Sequence, residues 1–155
     1  MYESGGRKSL QIELNVLGSS CGGCKYHKFP YKAQLPIRVD GAYPTWEFKN
    51  KDDIWKVTDL IEEETIKVNK KKGMEFDLAV SINAQLPFFT CRNIFLERSM
   101  QKDIQRYLYC EKFGTSPYKG DYGEQPCLWV DKVSIIRSAL AKLEKNNIDK
   151  AKNNG

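Results

Sequence analysis

Apolar and polar residues alternate without a break from Leu10 to Val16, with Leu10, Ile12, Leu14 and Val16 on one side and Gln11, Glu13 and Asn15 on the other. That period of two predicts a half-buried strand. From Gly18 to Pro36 the periodicity disappears, and Gly, Pro, Cys and Lys-aromatic pairs take over. This stretch reads as a long structured loop that something other than a hydrophobic face must hold. Ile37–Val39 and Ala42–Phe48 flank Asp40-Gly41, a dipeptide that accepts the positive φ angles of a tight turn, so a hairpin is expected there. Pro44, which has no N–H to donate, marks an edge strand.

Asp52-Asp53 can cap a short helix carrying Ile54, Val57, Leu60 and Ile61, although Trp55 and Val57 would also suit a strand. Thr65–Val68 and Met74–Ile82 bracket Asn69-Lys70-Lys71-Lys72-Gly73, and Met74, Phe76, Leu78, Val80 and Ile82 alternate cleanly. The pattern predicts a second hairpin with a basic tip. Between Cys91 and Phe113 the residues Ile94, Phe95, Ile104, Tyr107 and Leu108 recur at helical spacing, and Gly114 stands where a C-terminal cap belongs. Trp129, Val133, Ile136, Leu140 and Leu143 follow at intervals of four, three, four and three, laying one stripe along a final helix. After Asn146 the chain has no apolar face left, and residues 147–155 are expected to be a mobile tail.

Strands in the first half and helices in the second make the fold class α+β, an antiparallel sheet of hairpins followed by two long amphipathic helices. No repeat or linker-like change of composition interrupts residues 1–146, and 155 residues suit a single domain. The hydrophobic fraction of 41% and the charged fraction of 29% are those of a globular protein. No apolar run approaches the roughly 18–20 residues of a spanning helix. Met1 to Lys8 carries no apolar core of a secretory signal, so a cytoplasmic location and no membrane partner are expected.

Five cysteines change this ordinary picture, since an odd number argues against a closed disulfide framework and leaves reduced thiols or metal ligands. The sharpest local signal is Cys21-Gly22-Gly23-Cys24-Lys25-Tyr26-His27. Two thiolates two residues apart can grip one ion from a tight turn, and the glycines let backbone N–H groups turn towards sulfur. Cys21, Cys24 and His27, the sole histidine, form a candidate zinc site that lacks a fourth ligand. On a continuous helix Cys91 and Cys110 would lie about 28 Å apart at 1.5 Å per residue, so they cannot both contribute. Cys127 and Cys91 are both candidates for the fourth position. The same residues could instead be unligated, or Cys21 and Cys24 could be a redox dithiol. The latter is disfavoured because Lys28-Phe29-Pro30-Tyr31 follows the motif instead of the helix that lowers a catalytic thiol pKa.

The excess of 25 basic over 20 acidic residues gives a net charge of +5, a mild preference for acidic partners. Lys25, Lys28 and Lys32 interleave with Tyr26, Phe29 and Tyr31, a mixture that pairs phosphates and stacks bases. Together with Lys70, Lys71 and Lys72 at the expected hairpin tip, they would serve a nucleic-acid-binding alternative. The rings could equally fold over the loop as a small satellite core. Catalytic residues are not apparent. One histidine leaves no base for a nucleophile if it binds metal, no His-Glu-x-x-His helix exists, and Glu62-Glu63-Glu64 reads as a solvated face.

A helix ending in Tyr107-Leu108-Tyr109, a loop containing Gly, Pro and Tyr, and then Tyr122-Gly123-Glu124-Gln125-Pro126 with Trp129 opening an apolar helix make a further pattern. It resembles small uncharacterised proteins encoded among bacteriophage structural genes. The resemblance covers about a third of the chain and implies a role in virion assembly, with viral structural subunits as partners, in the host cytoplasm or the virion. Tyr118, Tyr122 and Trp129 are residue types that make binding hot spots if the loop is turned outward. The expected function is therefore a non-catalytic interaction or assembly module with a candidate structural zinc site.

Overall fold

The computed structural model describes residues 3–18 and 21–155, the side chains of residues 3–5 excepted. The fold is α+β, with a two-stranded antiparallel sheet in the N-terminal half and the long helices of the C-terminal half after it. In chain order the elements are α1 (Glu3–Leu17), β1 (Tyr31–Gln34), β2 (Thr45–Phe48), α2 (Lys51–Lys72), α3 (Leu78–Gln85), α4 (Arg98–Phe113) and α5 (Cys127–Asn153). Short 3₁₀ turns occupy Leu86–Phe88, Arg92–Phe95 and Tyr122–Glu124. Two compact units emerge, one of α1 with everything from Phe95 onward, the other spanning Gly18–Ile94.

In the first unit α1 packs against both α5 and α4. Its core is built on Ile12, Val16, Ile104, Tyr107, Trp129, Ile136 and Ala139, with Val133, Leu140 and Leu143 packed around them. The stripe expected on the last helix is thus the face turned to this core, with Trp129 and Ile136 buried and Val133, Leu140 and Leu143 partly so. The strand expected at Leu10–Val16 is instead part of α1, and Asn15 shows why. A strand would turn Asn15 to solvent, yet it is buried. Its amide donates to the carbonyls of Gln11 at 2.8 Å and Phe95 at 2.7 Å, and its Oδ1 accepts from the Glu97 backbone N–H at 2.9 Å. A helix covered on two sides buries successive residues, so an unbroken alternation of apolar positions mimicked a sheet face. Lys132 to Asp103 at 2.6 Å and Lys142 to Glu13 at 2.9 Å tie α5 to its two neighbours.

α4 begins at Arg98, not at Cys91, and ends where expected, on Gly114 with a left-handed φ of 62°. α5 runs past Asn146 to Asn153, and residues 147–153 are exposed.

In the second unit β1 pairs β2 with Tyr31 opposite Phe48 and Gln34 opposite Thr45. Asp40 and Gly41 have φ angles of 52° and 85° between bridged Val39 and Ala42, the two positive values of the expected tight turn. The regular ladder lies further from that turn than Ile37–Val39, because β1 falls in the stretch without periodicity.

α2 is far longer than the short helix expected. Asn50 caps it by accepting the Asp53 N–H at 3.2 Å, Asp52 and Asp53 occupy its first turn, and Lys70, Lys71 and Lys72 its last. That charge order complements the helix dipole. The hairpin expected around residues 65–82 is therefore absent: the three lysines close α2, and Gly73, left-handed at φ 61°, is its cap. Asn69 then clamps Phe76 with two hydrogen bonds of 2.9 Å, and Asp77 caps α3 by accepting from Val80 N–H at 3.0 Å. Met74 and Phe76, placed inward by the strand reading, are exposed. No helix of the described residues is long and apolar enough to cross a membrane.

Candidate metal centre

The Gly18–Ile94 unit anchors the irregular Cys21–Pro30 loop through aromatic rings. Tyr26 and Phe29 pack on Tyr31 with ring centroids 4.9 and 5.5 Å away, Tyr31 on Phe48 at 5.2 Å, and Phe48 on Phe89 at 6.0 Å. The satellite core considered for these rings is therefore present. It ends at fully buried Phe89, two residues before Cys91.

Two hydrogen bonds close the same gap. The Cys21 backbone N–H donates to Asn93 Oδ1 at 3.0 Å, and the Tyr26 hydroxyl donates to the Phe88 carbonyl at 3.3 Å. The loop and the segment following α3 are thereby held together, and their four metal-ligating side chains converge. The ligand atoms of Cys21, Cys24, His27 and Cys91 all lie within 4.8 Å of one another, a group that could hold a metal ion.

The local chemistry fits a cation. Cys21 Sγ and His27 Nε2 are 3.6 Å apart. Tetrahedral zinc with sulfur at about 2.3 Å and nitrogen at about 2.0–2.1 Å would set that edge near 3.5 Å. Gly23, whose φ of 104° suits glycine alone, aims its N–H at Cys21 Sγ from 3.3 Å. That bond, followed by the Cys91 thiol, lowers Cys21 to about 7, whereas burial pushes Cys91 up to about 11. A bound cation would hold both as thiolates. Cys21 is partly exposed, Cys24 and His27 are exposed and Cys91 is buried, so the centre lies at the surface with one ligand rooted in the interior.

Of the two residues considered for the fourth position, Cys91 belongs to the convergent group and Cys127 does not; Cys127 is exposed at the start of α5 and Cys110 sits on α4. Nothing in the local sequence around Cys91 marks it as a ligand. The pairing depends on the aromatic contacts and on the Asn93 hydrogen bond, both of which are long-range. No other cluster of three or more His, Cys, Asp or Glu residues with this convergence occurs among the described residues.

The remaining candidate residues are dispersed. Lys25, Lys28 and Lys32 are exposed on the loop and β1, and Lys70, Lys71 and Lys72 belong to the end of α2. Trp129 is buried, Tyr118 meets it edge-on with centroids 5.8 Å apart, and Tyr122 is 80% exposed. Arg106 donates to the Tyr118 hydroxyl at 2.6 Å and lies over both the Tyr118 and Trp129 rings. Gln125 donates to the carbonyls of Tyr118 and Gly120 at 3.1 and 2.9 Å, which folds the loop on itself. Of the three aromatic residues, Trp129 is buried, Tyr118 is partly covered and Tyr122 is the most exposed.

Comparison of the chain with protein-family models, curated proteins and solved structures finds no match.

Proposed function

We propose that this chain is a non-catalytic interaction module whose surface loop is fixed by one zinc ion on Cys21, Cys24, His27 and Cys91. The observation that carries the reading is the convergence of those four ligand atoms within 4.8 Å. Three sulfurs and one imidazole are a soft donor set that favours zinc over magnesium or calcium. Four protein ligands fill a tetrahedron and leave no position for a reactive water, which distinguishes a structural from a catalytic zinc. The ion's work is then mechanical: it holds a stretch without an apolar periodicity against the segment that carries Cys91.

The resemblance of residues 91–140 to phage structural-region proteins supports other protein subunits as the partners, with assembly as the biological setting. Exposed Tyr122 supplies an aromatic contact for such a partner.

Metal analysis tests the zinc assignment. Protein purified without chelator should carry about one zinc equivalent, as a closed four-ligand site requires. Cys24→Ser, at an exposed position, should remove it, whereas Cys110→Ser and Cys127→Ser should retain it. Cobalt exchange should give the visible absorption of a tetrahedral thiolate complex. A metal-free protein with a reversible Cys21–Cys24 disulfide would replace the zinc reading with the dithiol one.

A further inference from the structure

Beside the metal loop lies an open groove of about 680 Å³, formed by Lys25 and Tyr26 of that loop, the hairpin carrying Lys32 and Tyr43, and Phe88 of the turn after α3. We infer that this groove binds single-stranded nucleic acid, its lysines pairing with phosphates and its exposed rings receiving bases. The inference goes beyond the zinc assignment and rests on it only in that the metal loop supplies Lys25 and Tyr26.

Charge and ring exposure together identify the occupant. Two lysines and no acidic residue line the groove. Glu47, opposite Lys32 in the sheet register, does not reach it and instead lies 3.8 Å from Lys49. Tyr43 and Phe88 are 48% and 63% exposed, a large apolar exposure for rings that could have been folded inward. Arg38 sits over the Tyr43 ring at 5.3 Å, adding a third cation beside the groove. Cations would suffice for an acidic peptide. Outward-facing rings between cations are what a strand of alternating phosphates and planar bases uses, and stacking needs no base sequence. The groove is open at the surface, as a continuous strand requires.

The test is fluorescence anisotropy of a labelled oligothymidylate of about 12 nucleotides, long enough for one such site, on the full chain with its metal content measured in parallel. Two lysine–phosphate pairs predict that log affinity falls against log salt with a slope of about −1.4, steepening to about −2.1 if Arg38 also pairs with a phosphate. Tyr43→Ala and Phe88→Ala should each weaken binding by roughly fivefold to a hundredfold. Both residues are exposed, so melting temperature and zinc content should be unchanged. Replacing Lys70, Lys71 and Lys72, none of which lines the groove, by Gln should leave affinity within about twofold at about 0.15 M salt, which screens exposed charges not in contact with the strand. The inference is overturned by absence of binding at low salt, by aromatic variants that bind as tightly as the parent, or by the Lys70–Lys72 variant losing as much as a Lys25→Gln, Lys32→Gln variant. Displacement by polyglutamate as effective as by unlabelled oligonucleotide would also overturn it, assigning the groove to acidic peptides. Binding by protein that carries no zinc as purified would sink the metal assignment alone.

Discussion

The α1–α4–α5 unit and the metal loop solve the same problem by opposite means. In the first, entropy lost on ordering three helices is offset by burying Ile12, Ile104, Trp129, Ile136 and their neighbours, a force without direction that grows with area. In the second, residues 22–25 and 27–30 are exposed, and the contacts present are few and directional: the aromatic chain, two hydrogen bonds and four convergent side chains that could hold a metal ion. Burial tolerates the loss of one contact in many. A tetrahedral centre does not, because each ligand is a quarter of the site.

The largest expected effect is that of chelating the proposed zinc. Structural zinc in small domains contributes on the order of 10–16 kcal/mol of apparent binding free energy that is also folding free energy. Chelation should therefore open the loop to trypsin at Lys25, Lys28 or Lys32, leaving α1, α4 and α5 protected. Peptide mapping after brief digestion reads the outcome, and equal protection of the loop with and without chelator would show that the loop does not depend on an ion.

The converse substitution comes next in size. Ile136 is 1% exposed in the core of the helical unit. Ile136→Ala should cost roughly 2–5 kcal/mol in denaturant unfolding, the range for emptying a buried aliphatic site, with zinc content unaltered. A cost below about 0.5 kcal/mol would show that the unit does not depend on this burial.

These two sites also differ in how far the sequence disclosed them. The α5 stripe was legible because its spacing is local and has a single period. Cys21, Cys24 and His27 were legible for a similar reason, lying within seven residues. Cys91 was one of two equal candidates, since its convergence with the motif depends on Phe89, Asn93 and Tyr26, which find their partners only after folding. The two failed strand readings share one cause. Alternation at Leu10–Val16 and at Met74–Ile82 took no account of polar side chains that bond inward or cap: Asn15 is buried with its partners, and Asp77 starts a helix inside the supposed strand. The Lys70–Gly73 tip was ambiguous by nature, because a left-handed glycine after lysines suits a helix end as well as a turn.

A smaller effect lies at the start of α2, where directional bonding supports burial. Asn50→Ala removes the acceptor for the Asp53 N–H and should cost about 1 kcal/mol in chemical denaturation. Asp53 carries a pH signature as well. The N–H of Lys49 and then the Lys56 ammonium hold its carboxyl below the usual aspartate value. A pKa depressed on folding contributes stability that is complete above the unfolded value and is lost as pH falls through the folded one. Asp53→Asn should accordingly flatten the decline of stability on acidification below about pH 4. An unchanged acid limb would mean the carboxylate makes no net contribution.

The smallest expected effect is at the end of α5, where neither burial nor directed bonding is at work. Residues 147–153 continue the helix, yet all are exposed, and Ile148 is 48% exposed. Their helical state follows from propagation of a long, well-anchored helix, which costs little per residue once its nucleus is paid for by the packed turns before it. Lys150 and Lys152 in the last turn add a favourable interaction with the helix dipole, one that salt screens. Deleting Lys150 to Gly155 removes residues that cover nothing, so the melting temperature should shift by less than about a degree, well under the several degrees that 1 kcal/mol produces. Helical content by circular dichroism should fall slightly while zinc content and the unfolding midpoint stay the same. A drop of several degrees would reveal that the exposed turns contribute through contacts, and the stabilising stripe would then extend beyond Leu143.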